Sequence, residues 1–162
     1  MSRAAEEIAW HDVRACACAS ARRAAHALTR MYDVSLRDTD LEVPQFALLN
    51  MLEKVGPCSQ ATMGRKFALE KTTLSRNLKF LQSKGWVEAA PGKDARERAF
   101  VVTAAGRAQL TAARPAWRKA QQRVRLSMTD SQWNAMQQVF QALTEAARDG
   151  HADFVRMRAR PR

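Results

Sequence analysis

The sequence predicts a mainly α-helical chain with one small β-hairpin. Two observations carry that expectation. Apolar residues recur at three- and four-residue spacing through most of the chain, as on the buried faces of helices. The period shortens to two only between Trp86 and Thr103, in "WVEAA" and "RAFVVT" on either side of "PGKDARE". With 162 residues, 46% of them hydrophobic, the chain can bury one core and carry helical extensions.

From about Ile8 to Leu36 the chain is alanine-rich and free of Pro and Gly. Val13, Ala17, Ala24, Leu28 and Met31 fall at helical spacing, which predicts one long helix. After the polar break "RDTD", "LEVPQFALLNMLEKVG" places Pro44 near a helix start and Gly56 just past its end. Ser59 can cap a short third helix, "QATMGRKFA". After a break at Leu69 and Glu70, "KTTLSRNLKFLQSKGW" forms a fourth that Gly85 stops. Two short helices joined by a tight turn make a helix-turn-helix candidate. Beyond the hairpin, Thr103 opens the helix "AAGRAQLTAAR", and Pro115 marks the start expected of another, carrying Trp117 and Val124. The last helix has a capping box, "TDSQ" at Thr129–Gln132, followed by Trp133, Met136, Phe140, Leu143 and Ala147 as a packing seam. The closing "HADFVRMRARPR" reads as a basic tail, mobile or touching phosphate at the periphery.

The charge balance narrows the partners. Lys+Arg number 27 against 16 Asp+Glu, a net charge of +11, which favours nucleic acid or an anionic membrane surface. No apolar run reaches the roughly 18 residues a membrane span needs. "MSRAAEEIAW" sets two glutamates where a signal peptide would be apolar, so the expected location is the cytoplasm, with no membrane partner. Three cysteines without a CxxC pair, and His11, His26 and His151 without HExxH spacing, offer neither a disulfide framework nor a metal site. No glycine loop for phosphate appears, and no cofactor is expected.

The fourth helix carries the strongest functional signal. At roughly 100° per residue, Leu74, Leu78 and Leu81 share one stripe, while Thr72, Arg76 and Lys79 lie close to the opposite face. One face is suited to a core. The other, with scarcely a carboxylate, is suited to an anion. Arg or Lys on such a helix can read guanine edges or clamp phosphate, and short Thr and Ser side chains let the backbone approach closely. An arginine at a hairpin tip fits a narrow, strongly negative minor groove. The bland alternatives are a solvated helix face and a hairpin charged to block edge pairing, the latter especially for Arg98.

From about Val13 to Ala147 the order of elements resembles the MarR family of winged helix-turn-helix transcriptional regulators. The similarity is strongest at "KTTLSRNLKFLQSKGWVE" and "PGKDARERAFVVTAAGRAQL". The resemblance implies a winged helix-turn-helix domain, 41–104, between an N-terminal dimerisation helix, 8–40, and C-terminal dimerisation helices, 105–149, with the basic tail at 150–162. It implies a homodimer, a need the uncovered apolar faces of the arms suggest independently, and a pseudopalindromic operator in double-stranded DNA. Carried over by position, Thr72, Thr73, Ser75, Arg76 and Lys79 lie on the recognition helix in the major groove, and Arg96 is the wing-tip residue in the minor groove. Lys71, Lys93 and Arg98 extend this surface, and Asp94 holds an arginine of the wing. The family's majority behaviour implies a repressor released by an effector: a phenolic compound, an oxidant or a thiophilic metalloid.

The cysteines are the candidates for thiol sensing. Cys16 and Cys18, taken as two apart on one helix, are separated by roughly 200° around it and cannot bridge within a chain. Cys16, near the Val13 stripe, reads as a small core residue, and Cys58 in "GPCSQ" as packing. Cys18 shares a face with Arg14, Arg22 and Tyr32, and cationic neighbours favour thiolate. By resemblance to the organic-hydroperoxide branch of the family, Cys18 takes the place of the reactive cysteine and Tyr32 that of a tyrosine contacting it across the dimer. Arg22 stands where that branch has a second tyrosine. Two other functions fit parts of the pattern: a DNA-architectural or RNA-binding protein without sequence preference, and a small cysteine-dependent enzyme. The enzyme is disfavoured, because no base is identifiable beside a thiol.

Overall fold

A computed structural model describes residues 16–67, 70–92 and 98–158. The chain is mostly helical with one small antiparallel sheet, as the hydrophobic periods predict. It divides into two compact units after Ala120.

In the first unit, α1 spans Ala17–Leu36. The turns expected at 8–15 lie outside the described residues. Cys16 is not helical: it stands at the N-cap with extended backbone, φ −68° and ψ 116°. A 3-10 turn, Arg37–Thr39, and a left-handed Asp40 (φ 54°) reverse the chain. The Asp33 carboxylate accepts from the Val43 amide at 2.8 Å, and Gln45 Oε1 accepts from the Glu42 amide at 3.0 Å. These bonds satisfy amide donors that the start of α2, Val43–Val55, would leave without carbonyl partners. Pro44 sits in the first turn and Gly56 at the C-cap, as the sequence predicts.

Cys58–Ser59 forms a two-residue strand, β1, before α3 (Gln60–Phe67) and α4 (Lys71–Ser83). Ser59 Oγ accepts from the Thr62 amide at 3.3 Å, the expected cap. α4 ends in a Schellman-type turn. Gly85 takes φ 69°, and the Trp86 amide reaches back to the Leu81 carbonyl at 2.9 Å. β2 (Val87–Pro91) and β3 (Arg98–Val102) pair from Val87↔Val102 to Pro91↔Arg98. β1 adds to the other edge of β3 through Cys58↔Phe100, giving the order β1-β3-β2. The expected hairpin is therefore part of a three-stranded sheet.

The core of this unit joins Leu36, Leu48, Leu49, Leu52, Met63, Leu74, Leu81 and Leu110, each at most 1% exposed. α5 runs unbroken from Ala104 to Leu126 with Pro115 inside it, where the sequence suggested two helices. Pro115 is exposed, so the Thr111 carbonyl that loses its amide partner can be solvated. Leu110 and Ala113 before it and Ala120 after it are buried, and Trp117 stacks on Phe46 of α2 at 5.6 Å. Arg114 pairs with Glu53 across the same contact.

In the second unit, Arg125 donates to the Met128 carbonyl at 3.1 Å, pairs with Asp130, and lies over the Trp133 ring at 5.6 Å. α6 spans Asp130–Arg158 behind the expected capping box: Gln132 N to Thr129 Oγ1 is 3.2 Å, and Thr129 N to Gln132 Oε1 is 2.9 Å. The helix continues through 150–158, so most of the segment read as a mobile tail is helical. Along the seam, Val139, Phe140 and Leu143 are 54%, 40% and 39% exposed in the single chain.

Candidate nucleic-acid interface

The interface is built on α4. Its first turn is closed by the Glu70 carbonyl, which accepts from the Leu74 amide at 3.0 Å. Burial of Leu74, Leu78 and Leu81 then fixes how the helix is rotated in the unit. Asn77 is buried with them. That rotation leaves Lys71, Thr72, Arg76 and Lys79 exposed and Ser75 half-buried between them. These five line one open groove of about 430 Å³. No carboxylate is among the lining residues, so the groove combines three cationic groups with two hydroxyls and suits a polyanion. Thr73, half-buried, does not line it.

Of the wing residues, Arg98 is described. It opens β3 opposite Pro91 and lays its guanidinium over the Phe100 ring at 5.7 Å. Lys93, Asp94 and Arg96 lie outside the described residues.

Other cationic groups went unread in the sequence. Arg65 and Lys66, in the last turn of α3, are exposed. Arg65 Nη2 donates to Thr62 Oγ1 at 3.0 Å. Lys66 lines a cleft of about 560 Å³ with Val55, Pro57, Thr62, Pro91 and Ala99. Neither residue stood out, because both sit on a short helix whose orientation the apolar pattern does not fix. The partner that holds Ser75 was equally invisible: Gln60 Nε2 donates to Ser75 Oγ at 2.6 Å across fifteen residues of chain.

The cysteines separate by environment. Cys58 is buried in the sheet at 6% exposure, as its packing reading predicts. Cys18 is exposed on α1, with Arg22 exposed one turn on and Tyr32 half-buried on the same helical face. Burial raises the Tyr32 phenol above its ordinary pKa, because the phenolate is the form desolvation penalises. Cys16 is exposed in the single chain and stands at the N-cap, outside the helix, so the expected separation of two residues on one helix does not describe it and Cys18. Among the described residues no group of three or more His, Cys, Asp or Glu side chains could hold a metal ion. No described helix is long and apolar enough to cross a membrane.

Comparison with known proteins places this arrangement. The MarR family model matches residues 39–97, the span from the reversal before α2 to the residue before β3. The transcriptional regulator MosR of M. tuberculosis, in a crystal structure with DNA, is 35% identical, with a TM-score of 0.74 over 83% of this chain and 97% of that one. BpsR of Bordetella bronchiseptica, at 18% identity and a TM-score of 0.73 over 82% of this chain and 95% of its own, shares the fold. The HTH-type regulator YwoH of Bacillus subtilis is 28% identical over 81 residues, which are 50% of this chain and 59% of that protein, so the chain spans little more than half of that curated relative's length. With a helix-turn-helix, a three-stranded wing and a relative above 30% identity along nearly its whole length, the chain belongs to the MarR family of winged helix-turn-helix transcriptional regulators.

Proposed function

We propose that this chain is a sequence-specific double-stranded DNA-binding regulator that acts as a homodimer on a pseudopalindromic operator in the cytoplasm, represses transcription there, and is released by a small-molecule or thiol-directed effector. The observation that carries the DNA reading is the groove along α4, where Lys71, Arg76 and Lys79 surround two hydroxyls with no carboxylate among them. MosR, a relative above 30% identity, has been crystallised in complex with DNA. Repression and effector release rest on the resemblance alone. The test is competition: the full chain should prefer a duplex selected from a random pool over unrelated duplex by roughly 10³-fold or more. Equal affinity for both would make it an architectural nucleic-acid binder instead.

The dimer reading draws its support from the second unit. Val139, Phe140 and Leu143 form an exposed apolar stripe at helical spacing on α6, an area a monomer would leave in water. Sedimentation at micromolar concentration is expected to show one species of twice the 18.2 kDa chain mass, and Phe140→Glu with Leu143→Glu should shift it toward the monomer. A stable monomer for the parent chain would remove both the dimer and the palindromic operator.

The thiol reading rests on Cys18, exposed beside Arg22 on α1. A bulky or charged adduct there would alter the spacing of the two recognition helices of a dimer and forfeit simultaneous binding of half-sites about one helical turn apart. Titrating DNA complexes of the parent, Cys16→Ser, Cys18→Ser and Cys58→Ser with organic peroxide, arsenite and salicylate checks this. Cys18→Ser is expected to bind DNA normally and to resist peroxide and arsenite. Release of that variant as readily as the parent would transfer effector sensing to a non-covalent ligand.

A further inference from the structure

Ser75 sits at the floor of the α4 groove, half-buried between Thr72, Arg76 and Lys79. A serine hydroxyl there is ambiguous, since it can donate or accept. The structure resolves that ambiguity through another helix. Gln60, the first residue of α3, donates from its amide nitrogen Nε2 to Ser75 Oγ at 2.6 Å. With an acceptor lone pair of Oγ occupied from beneath, the hydroxyl hydrogen is free to turn toward the groove. Gln60 is itself anchored, because α3 starts at the capped Ser59: that hydroxyl accepts from the Thr62 amide at 3.3 Å and donates to Thr62 Oγ1 at 3.2 Å. Ser59 is 8% exposed and belongs to the strand paired with β3, so the start of α3 is fixed by the sheet.

We propose that Gln60 is a positioning residue that fixes the Ser75 hydroxyl as a hydrogen-bond donor into the α4 groove, so that position 75 engages an acceptor on DNA, either a purine N7 or O6 edge or a phosphate oxygen. This deepens the DNA-binding reading and rests on it. The groove would then present donors along its whole length: the cationic groups of Lys71, Arg76 and Lys79 and the oriented hydroxyl of Ser75. Donors suit both guanine edges and phosphate.

The experiment measures affinity for the duplex that the parent chain selects from a random pool, using the parent, Gln60→Met, Ser75→Ala, the double variant and Arg76→Ala. Gln60→Met keeps the length of the side chain and removes its donor. Gln60→Met and Ser75→Ala should each weaken binding by roughly five- to tenfold, the worth of one oriented hydrogen bond. The double variant should be no weaker than the weaker single, because both changes remove the same donation. Thermal midpoints of both singles should stay within a few degrees of the parent, which a merely structural role for Gln60 would not allow alongside the affinity loss.

Duplexes carrying 7-deazapurine at single positions, others with 2-aminopurine in place of single guanines to remove O6, and others with single methylphosphonate linkages, then identify the acceptor. One such duplex should bind the parent as weakly as Ser75→Ala binds the unmodified duplex, and should bind Gln60→Met no worse than the unmodified duplex does. Parent-like affinity of Gln60→Met, or losses that multiply in the double variant, would overturn the positioning role. If instead the parent selects no duplex, or Arg76→Ala is also without effect, the failure lies with DNA recognition through α4 itself.

Discussion

Gly106→Ala is expected to destabilise the chain by about 3 kcal/mol, the upper range for forcing a methyl into a filled site. A Cβ at this position of α5 would stand 2.1 Å from the Trp86 carbonyl oxygen, and 2.9 Å from both the Trp86 carbonyl carbon and Val102 Cγ1. The backbone there has little room to yield. The Trp86 carbonyl accepts from the Thr103 amide at 3.1 Å, the Trp86 amide bonds the Leu81 carbonyl, and Thr103 Oγ1 donates to the Gly85 carbonyl at 2.7 Å. In an open helix the same substitution would stabilise by about 1 kcal/mol through helix propensity, so the sign of the effect distinguishes close approach from an ordinary helical glycine. Urea unfolding of the full chain, with Ala108→Gly on the exposed side of α5 as a control for propensity, checks it. Stabilisation by Gly106→Ala would mean that α5 does not press on the strand entry as described. Because Trp86 links the end of α4 to the first wing strand, a shift here would also disturb the relation between recognition helix and wing.

Arg76→Ala should weaken binding to a selected duplex by about 1–3 kcal/mol, roughly tenfold to a hundredfold. The side chain is exposed on the groove face of α4, while the leucines opposite carry the packing, so the unfolding midpoint should hardly move. Two patterns of loss have different meanings. If Arg76 reads a base edge, its removal flattens the preference between the selected duplex and one mutated in a half-site. If it clamps phosphate, affinity falls equally on all sequences and the salt dependence of binding becomes shallower by about one ion. Arg96→Ala, at the wing position the family resemblance assigns to the minor groove, should cost a similar amount through groove width and potential. Unchanged binding in both variants would remove the winged-helix DNA surface from the account.

Much of this arrangement is legible in the residues because it depends on local rules. The buried and exposed faces of α4 follow from leucines at positions 74, 78 and 81. Pro44 and Gly56 bracket α2, and Thr129 with Gln132 starts α6. What escaped depends on partners distant in sequence. The two residues of β1 have no period of their own and become a strand only by lying against Ala99 and Phe100. Pro115 suggests a helix boundary because its missing amide is a local fact, whereas the burial of Leu110, Ala113 and Ala120 on either side of it is a tertiary fact. Asn77, polar in the sequence, is buried because its position on α4 falls on the inward side. The alanine-rich pattern does not mark where α1 begins, and Cys16 stands one residue outside it as the N-cap. In the groove, the cationic residues could be read from one helix, but the bond that orients Ser75 joins two helices and leaves no trace in spacing.

The claim on which the rest depends is that α4 and the wing are the elements DNA covers. Hydrogen exchange of the full chain, free and saturated with the selected duplex, tests this most directly, because it reports which backbone segments lose solvent access without altering any residue. Slower exchange is expected in α4, residues 71–83, and in the wing strands, residues 87–91 and 98–102, with α6 unchanged by DNA. Protection confined to α6 or α1, with α4 exchanging as in the free chain, would contradict it.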